Sequence, residues 1–146
     1  MLTSDLRSAG LPPRLVPQAA ERALRALRRT LADERGRWIL RSRPEARCEF
    51  AVTGRYAGRI VNAVIDRSFV DDDGVRWIVD YKSSRHEGGA LAAFLDRELE
   101  RHAPQLALYA ALMSGLDPRP LRAGLYFPML TEWREWIPPV RRALPA

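Results

Sequence analysis

The sequence WIVDYKSS, which begins at Trp77, places Asp80 and Lys82 two residues apart at the end of an apolar run. Side chains alternate along a β-strand, so these two would point to one face, with roughly 6–7 Å between their Cα atoms. Lys82 is the only lysine among the 24 Lys and Arg residues of the chain. An ammonium is a compact charge whose pKa can shift, whereas a guanidinium is planar and permanently protonated. A lysine in an arginine-rich sequence is therefore expected where the chemistry requires an ammonium.

A second carboxylate, Asp66, lies near the end of the preceding apolar run, AVIDRS. The DDDG segment at residues 71–74 predicts a hairpin that puts Asp66 nearly opposite Asp80. Neighbouring carboxylates repel each other unless a cation lies between them. Mg²⁺ fits such a site, because it binds one or two carboxylates, several waters and phosphate oxygens, and would activate a water beside Lys82. The alternative is a surface ion pair between Asp80 and Lys82, which contributes little.

Hydrophobic periodicity predicts the elements that would position these residues. Residues 1–17 hold three prolines and are expected to be a poorly ordered lead-in. Residues 18–40 repeat apolar positions at helical spacing, and Pro44 prevents the helix from continuing. Alternating segments then predict three antiparallel strands, the first of them ending in a turn at Gly54.

The second half of the chain returns to helical spacing over residues 90–116, with Pro104 expected to divide this stretch into two helices. Residues 120–130 predict a buried strand, and residues 133–137 a further short one. This order predicts an α/β (α+β) fold, with a central mixed sheet of three antiparallel strands plus a further strand, flanked by helices. A single domain over residues 18–137 and a tail over residues 138–146 are expected.

Composition narrows the classes of partner and cofactor. The net charge of +6 and a pI near 10.4 favour an acidic partner, of which nucleic acid is the commonest; the alternative is a merely solvated arginine-rich surface. The single cysteine, Cys48, excludes a disulfide or a four-cysteine metal or iron–sulfur site within the chain. No P-loop sequence is present, so no ATP site is expected in this chain. The absence of a long apolar run or signal sequence predicts a cytoplasmic protein without membrane contact.

Across residues 45–127 the chain resembles the PD-(D/E)xK nuclease domain at the C-terminal end of bacterial helicase–nucleases of the RecB and AddA type. The matching motifs are IDR with Asp66, VDYKS with Asp80 and Lys82, and QLALY with Gln105 and Tyr109. The resemblance implies a restriction-endonuclease-like core and a metal-dependent DNA nuclease. It also implies Mg²⁺ on the two aspartates, with Mn²⁺ as the alternative ion, and the lysine serving the attacking water.

Several further residues are candidates for the border of this site. The resemblance implies that the Gln105–Tyr109 helix contacts DNA, although the same spacing is typical of a helix that packs Tyr109 into the core. In the loop after Lys82, three polar residues could hydrogen-bond phosphate oxygens or form an ordinary turn: Ser83, Ser84 and Arg85. Glu49, in CEF, could reach the same ion or be an exposed edge-strand glutamate.

The resemblance also implies a larger assembly. Such nuclease domains of the exonuclease V type are joined to an ATP-driven helicase, which feeds them single strands or DNA ends during double-strand break repair and recombination in bacteria. The family's N-terminal histidine ligand has no counterpart, because His86 and His102 both follow Lys82. The chain is therefore expected to be a C-terminal fragment of a helicase–nuclease. The alternative is a weak or inactive nuclease-fold module that binds DNA or a partner subunit.

Overall fold

The computed structural model describes residues 2–86 and 88–138 of the chain. This part forms four α-helices: α1 (Leu2–Ser8), α2 (Val16–Ala32), α3 (Glu34–Leu40) and α4 (Leu91–Ser114). It also forms five strands: β1 (Arg47–Tyr56), β2 (Arg59–Val70), β3 (Arg76–Tyr81), β4 (Leu121–Phe127) and β5 (Glu132–Trp136). Of the predicted tail, residues 139–146 lie outside the described residues.

The five strands form one mixed sheet in the order β1-β2-β3-β4-β5. Three consecutive antiparallel strands, β1 to β3, are followed by β4, which pairs with β3 in parallel and with β5 antiparallel. A parallel neighbour requires a crossover connection, and α4 supplies it. The predicted fold class, with its mixed sheet and flanking helices, is confirmed.

Each face of the sheet carries its own apolar cluster. The cluster under α4 joins strand residues to helix residues: Ile65, Ile78 and Leu125 with Leu95, Leu106 and Leu112. The cluster under α3 comprises Ile39, Phe69, Trp77, Val79 and Tyr126, with Trp38 and Trp133 packed against it. In β3, Trp77 and Val79 therefore lie under α3 while Ile78 lies under α4, as strand alternation predicted. Asp80 consequently belongs to the α4 face of the sheet.

Gly124→Ala is expected to lower the free energy of unfolding by about 1–3 kcal/mol, because its methyl group would overpack the α3 cluster. A Cβ at this position would overlap carbon atoms of the Trp133 indole, which is held against the Trp38 and Trp77 rings. Urea unfolding measures the change. Gly115→Ala is the matched control, since its Cβ would make an ordinary 3.4 Å contact. Equal midpoints for the two variants would contradict this packing.

The helices differ from the predicted ones in three places. The expectation of a lead-in without a folded element is wrong, since α1 and a 3₁₀ turn at Pro13–Leu15 precede α2. The predicted helix over residues 18–40 is interrupted at Asp33, whose carboxylate accepts a hydrogen bond from Gly36 N and caps α3. Pro104 lies inside an unbroken α4, on its exposed side, where the carbonyl that lacks a donor can bind water. No helix within the described ranges is long and apolar enough to cross a membrane.

The predicted turn at Gly54 is also wrong. β1 continues to Tyr56, and the hairpin loop consists of Ala57 and Gly58, both with positive φ, as a two-residue type I′ turn requires. Gly54 instead lies under α4, where an added Cβ would approach Leu112 to 2.8 Å. The glycine therefore provides room for helix–sheet packing and does not end the strand.

Candidate active site

The two aspartates lie side by side where β2 and β3 pair. Arg67 of β2 is opposite Val79 of β3 in the antiparallel ladder, so the next position along each strand places Asp66 opposite Asp80. Tyr81 N donates a hydrogen bond of 2.9 Å to Asp66 Oδ2. The DDDG hairpin predicted that the two carboxylates are neighbours, and the ladder that ends at Arg67 and Val79, one position before them, agrees with this.

β2 is locally distorted around Asp66, which accepts a hydrogen bond from Tyr81 N and also lines a groove on the α2 side of the sheet. Ile65 packs under α4 and Phe69 under α3, although residues four apart share a face in a regular strand. The strand must therefore change face between them. Glu49, which occupies the corresponding position on β1, has a φ of 46°, an uncommon conformation for a non-glycine residue. Such strained residues concentrate at functional sites.

Lys82 joins the carboxylates to α4. Its Nζ lies 2.7 Å from Asp80 Oδ2 and donates a 3.3 Å hydrogen bond to Gln105 Oε1. The ammonium approaches Asp80 at ion-pair distance but without the alignment of a hydrogen bond. Oδ2 of this carboxylate, whose side chain is 5% exposed, thus has no hydrogen-bond donor in the described part of the chain. A buried carboxylate oxygen with this deficit suits a cation ligand.

One face of α4 lines the site with polar side chains. Gln105 Nε2 donates a 2.8 Å hydrogen bond to the hydroxyl of Tyr109, while its amide oxygen accepts from Lys82. The ring of Tyr109 is buried in the α4 cluster. The expected packing of Tyr109 in the core is therefore confirmed, and its hydroxyl also supports Gln105, while contact of this helix with DNA stays a prediction.

Glu98 and His102 lie on the same face of α4, nearer its N-terminus. Neither was predicted from the sequence as part of the site. Ser84 Oγ donates to Glu98 Oε2 at 3.0 Å, and His102 Nε2 lies 3.6 Å from the same oxygen. His102 lies inside α4, which continues through Pro104. Burial first, and then the nearby Lys82 ammonium, lower its pKa. The signal available in the sequence was the spacing of positions 98, 102, 105 and 109, which places them on one helical face.

The remaining predicted residues are placed around the cluster. Ser83 and Arg85 are exposed in the loop after β3, and Ser84 contacts α4. Glu49 is exposed and lines a groove together with Asp66. Within residues 2–86 and 88–138, no three Asp, Glu, His or Cys side chains converge closely enough to hold a metal ion. Glu49 is therefore not brought into the carboxylate pair.

The electrostatics of the pair favour an added cation. Burial, followed by the charge of Asp80, raises the pKa of Asp66, against the opposing effects of the Tyr81 N–H and Lys82. The pKa of Tyr109 is raised by burial and by both carboxylates. Mg²⁺ commonly binds one or two carboxylates and completes its shell with waters and phosphate oxygens. The residues therefore fit a divalent cation held by Asp66 and Asp80.

Asp66→Asn is expected to stabilise the metal-free protein modestly at neutral pH, because burial and the charge of Asp80 disfavour the ionised carboxylate. The amide oxygen can still accept from Tyr81 N, while the charge disfavoured by burial is removed. The pKa of Asp66 is higher in the folded than in the unfolded parent protein, so the folded state binds more protons between these two pKa values. The stability of the parent therefore falls as the pH rises from 3.8 through the folded pKa. Urea unfolding should show that the extra stability of Asp66→Asn over the parent shrinks as the pH falls toward 3.8, the ordinary pKa of an aspartate. A less stable variant at neutral pH would contradict this.

Residues 2–137 match the family model described as the PD-(D/E)XK nuclease superfamily. No curated protein matches the chain. The matched range contains both strands of the carboxylate pair, Lys82 and the whole of α4. The activity that this family suggests is hydrolysis of phosphodiester bonds in nucleic acid, and its members typically use divalent metal ions. The chain belongs to the PD-(D/E)XK nuclease superfamily.

Proposed function

We propose that the chain is a metal-dependent deoxyribonuclease that cuts phosphodiester bonds at Asp66, Asp80 and Lys82. The observation that carries this proposal is the convergence of two carboxylates and the chain's single lysine at one place, where Lys82 Nζ lies 2.7 Å from a buried oxygen of Asp80 and Asp66 is held by Tyr81 N. A purely structural ion pair between Asp80 and Lys82 would not explain the second carboxylate, Asp66, because neighbouring carboxylates repel each other.

In this mechanism, Asp66 and Asp80 would hold Mg²⁺ or Mn²⁺, which would polarise the phosphate and lower the pKa of a water molecule. Lys82 orients the attacking water and offsets charge on the phosphate. Gln105 positions the ammonium through its Oε1, and the hydroxyl of Tyr109 fixes the orientation of that amide. The polar loop after β3, at residues 83–85, lies beside the cluster and is suited to hydrogen-bond the flanking phosphates.

Cleavage assays on the full chain test this function. Labelled single-stranded and duplex DNA should be cut when Mg²⁺ or Mn²⁺ is added and left intact when both are chelated. End-labelling at each terminus would separate exonucleolytic from endonucleolytic products. A chain that folds cooperatively and yet cuts neither substrate with either metal would contradict the proposal.

We propose further that the domain works beside an ATP-driven helicase in a bacterial, cytoplasmic repair and recombination enzyme of the RecB/AddA type. The support is the IDR, VDYKS and QLALY motif order across residues 45–127. Under this proposal, an ATP-hydrolysing partner delivers single strands or DNA ends to the site. Faster cleavage of long duplex DNA in the presence of such a partner and ATP would support this role.

A second candidate is a nuclease-fold module that binds DNA without cutting it. It is favoured by the finding that, in the described ranges, the site offers no third acidic, histidine or cysteine ligand. This candidate predicts no uptake of Mg²⁺ or Mn²⁺ in calorimetry, together with DNA binding that weakens steeply with salt. Metal uptake that disappears in Asp80→Asn would exclude it.

A further inference from the structure

A groove of about 570 Å³ opens beside the carboxylate pair, between α2 and the sheet. Its walls are mostly apolar, formed by Ala26 and Leu27 of α2, by Leu40 and by Pro128. Its remaining lining includes Asp66 and Glu49. The groove lies on the α2 side of the sheet and meets the proposed cleavage site at Asp66, which belongs to both.

The lining indicates what could occupy the groove. Its volume is within the range of pockets that take a small organic group, and its apolar walls exclude a phosphate as the buried part. Tyr81, which also lines it, provides an aromatic ring of the kind on which bases stack. Glu49, exposed at a φ of 46°, provides a carboxylate that can accept a hydrogen bond from a base amino group.

We infer that the groove receives one unpaired nucleobase of the substrate, adjacent to the phosphate that a cation on Asp66 and Asp80 would hold. This inference rests on the proposed nuclease function, which already gives single strands as the substrate, and adds a pocket for the base next to the cleaved bond. A base within a duplex is stacked and paired, and cannot enter a pocket unless it leaves the helix. The net charge of +6 favours the phosphate backbone, and the groove adds a contribution that depends on the base.

Cys48 provides a direct probe, because it is the only cysteine in the sequence, is exposed and lines the groove. The full chain is alkylated with N-ethylmaleimide in the presence of Ca²⁺, which binds carboxylate oxygens in place of Mg²⁺, and of a short single-stranded oligodeoxycytidylate. The control is an abasic oligomer with the same number of phosphates. At equal bound fractions, measured by fluorescence anisotropy, the base-containing oligomer should slow alkylation by about fivefold or more, and the abasic oligomer should not. Equal alkylation rates with both oligomers would overturn the inference.

Filling the groove provides the second test. Ala26→Trp places an indole in it, and Ala32→Trp is the matched control, at an exposed position of α2 outside the groove. Ala26→Trp should weaken binding of the oligodeoxycytidylate about fivefold or more, since one stacked base contributes that much. Its affinity for the abasic oligomer, which depends on phosphate contacts, should stay within roughly twofold. If Ala26→Trp does not fold, wild-type protein alkylated at Cys48 after folding replaces it.

The outcomes separate this inference from the nuclease proposal. Metal-dependent cleavage that is unaffected both by Ala26→Trp and by the blocked Cys48 overturns the groove assignment and leaves the nuclease intact. Base-dependent protection of Cys48 in a chain that does not cut DNA supports the groove and removes the catalytic function. Failure to bind any oligomer overturns both.

Discussion

Asp80→Asn is expected to reduce metal-dependent cleavage about a thousandfold while leaving the domain folded. The substitution removes a negative charge but keeps the shape of a side chain that is 5% exposed. A metal ion contributes several kcal/mol to the stabilisation of the transition state, and each 1.36 kcal/mol corresponds to a factor of ten in rate. Loss of a ligand carboxylate therefore has an effect of this size.

Asp72→Asn is the matched control for Asp80→Asn. Asp72 is 80% exposed and forms a surface ion pair with Arg41, so the same chemical change should leave cleavage and stability nearly unchanged. Single-turnover cleavage and calorimetric titration with Mn²⁺ measure the two consequences for Asp80→Asn, which are lost rate and lost metal affinity. Cleavage by Asp80→Asn at the parental rate would remove Asp80 from the site, and with it the proposed mechanism.

Local sequence patterns were sufficient to predict the hairpin that carries the carboxylates. The alternation in β2 and β3 and the acidic turn between them are short-range features, and the observed ladder puts Arg67 opposite Val79 as they require. The turn itself is closed by a hydrogen bond from Gly74 N to Asp71 O. A single polar position could be assigned to a face because side chains alternate along a strand.

The contacts that complete the site depend on distances across the fold and could not be predicted from such patterns. Glu98 reaches Ser84 because the crossover helix packs over the end of β3, and helical spacing alone does not say which face will do so. Local patterns did not predict the positive φ of Glu49 or the change of face in β2 either. Arg67 lies on the α3 side of β2. It donates there to the carbonyls of Ile39 and Arg41, so it also satisfies the C-terminal end of α3.

Lys82→Arg is expected to lower the cleavage rate about a hundredfold or more, nearly as far as Lys82→Met, even though it keeps the positive charge. The Lys82 ammonium lies between Asp80 Oδ2 at 2.7 Å and Gln105 Oε1 at 3.3 Å, on a side chain that is 18% exposed. A guanidinium is larger, planar and able to bind a carboxylate through two parallel hydrogen bonds. It would occupy the oxygens of Asp80 that the cation needs.

Metal affinity distinguishes the two Lys82 variants, because they should fail for different reasons. Lys82→Met removes a competing cation from Asp80, so Mn²⁺ should bind at least as tightly as in the parent while cleavage is lost. Lys82→Arg should bind Mn²⁺ more weakly than either protein, since the guanidinium competes for the same carboxylate. Arg101→Met, at a position 75% exposed on α4, controls for the loss of a positive charge. If Lys82→Arg cut DNA at the parental rate, an arginine would suffice at position 82, and the single lysine of the chain would have no chemical significance.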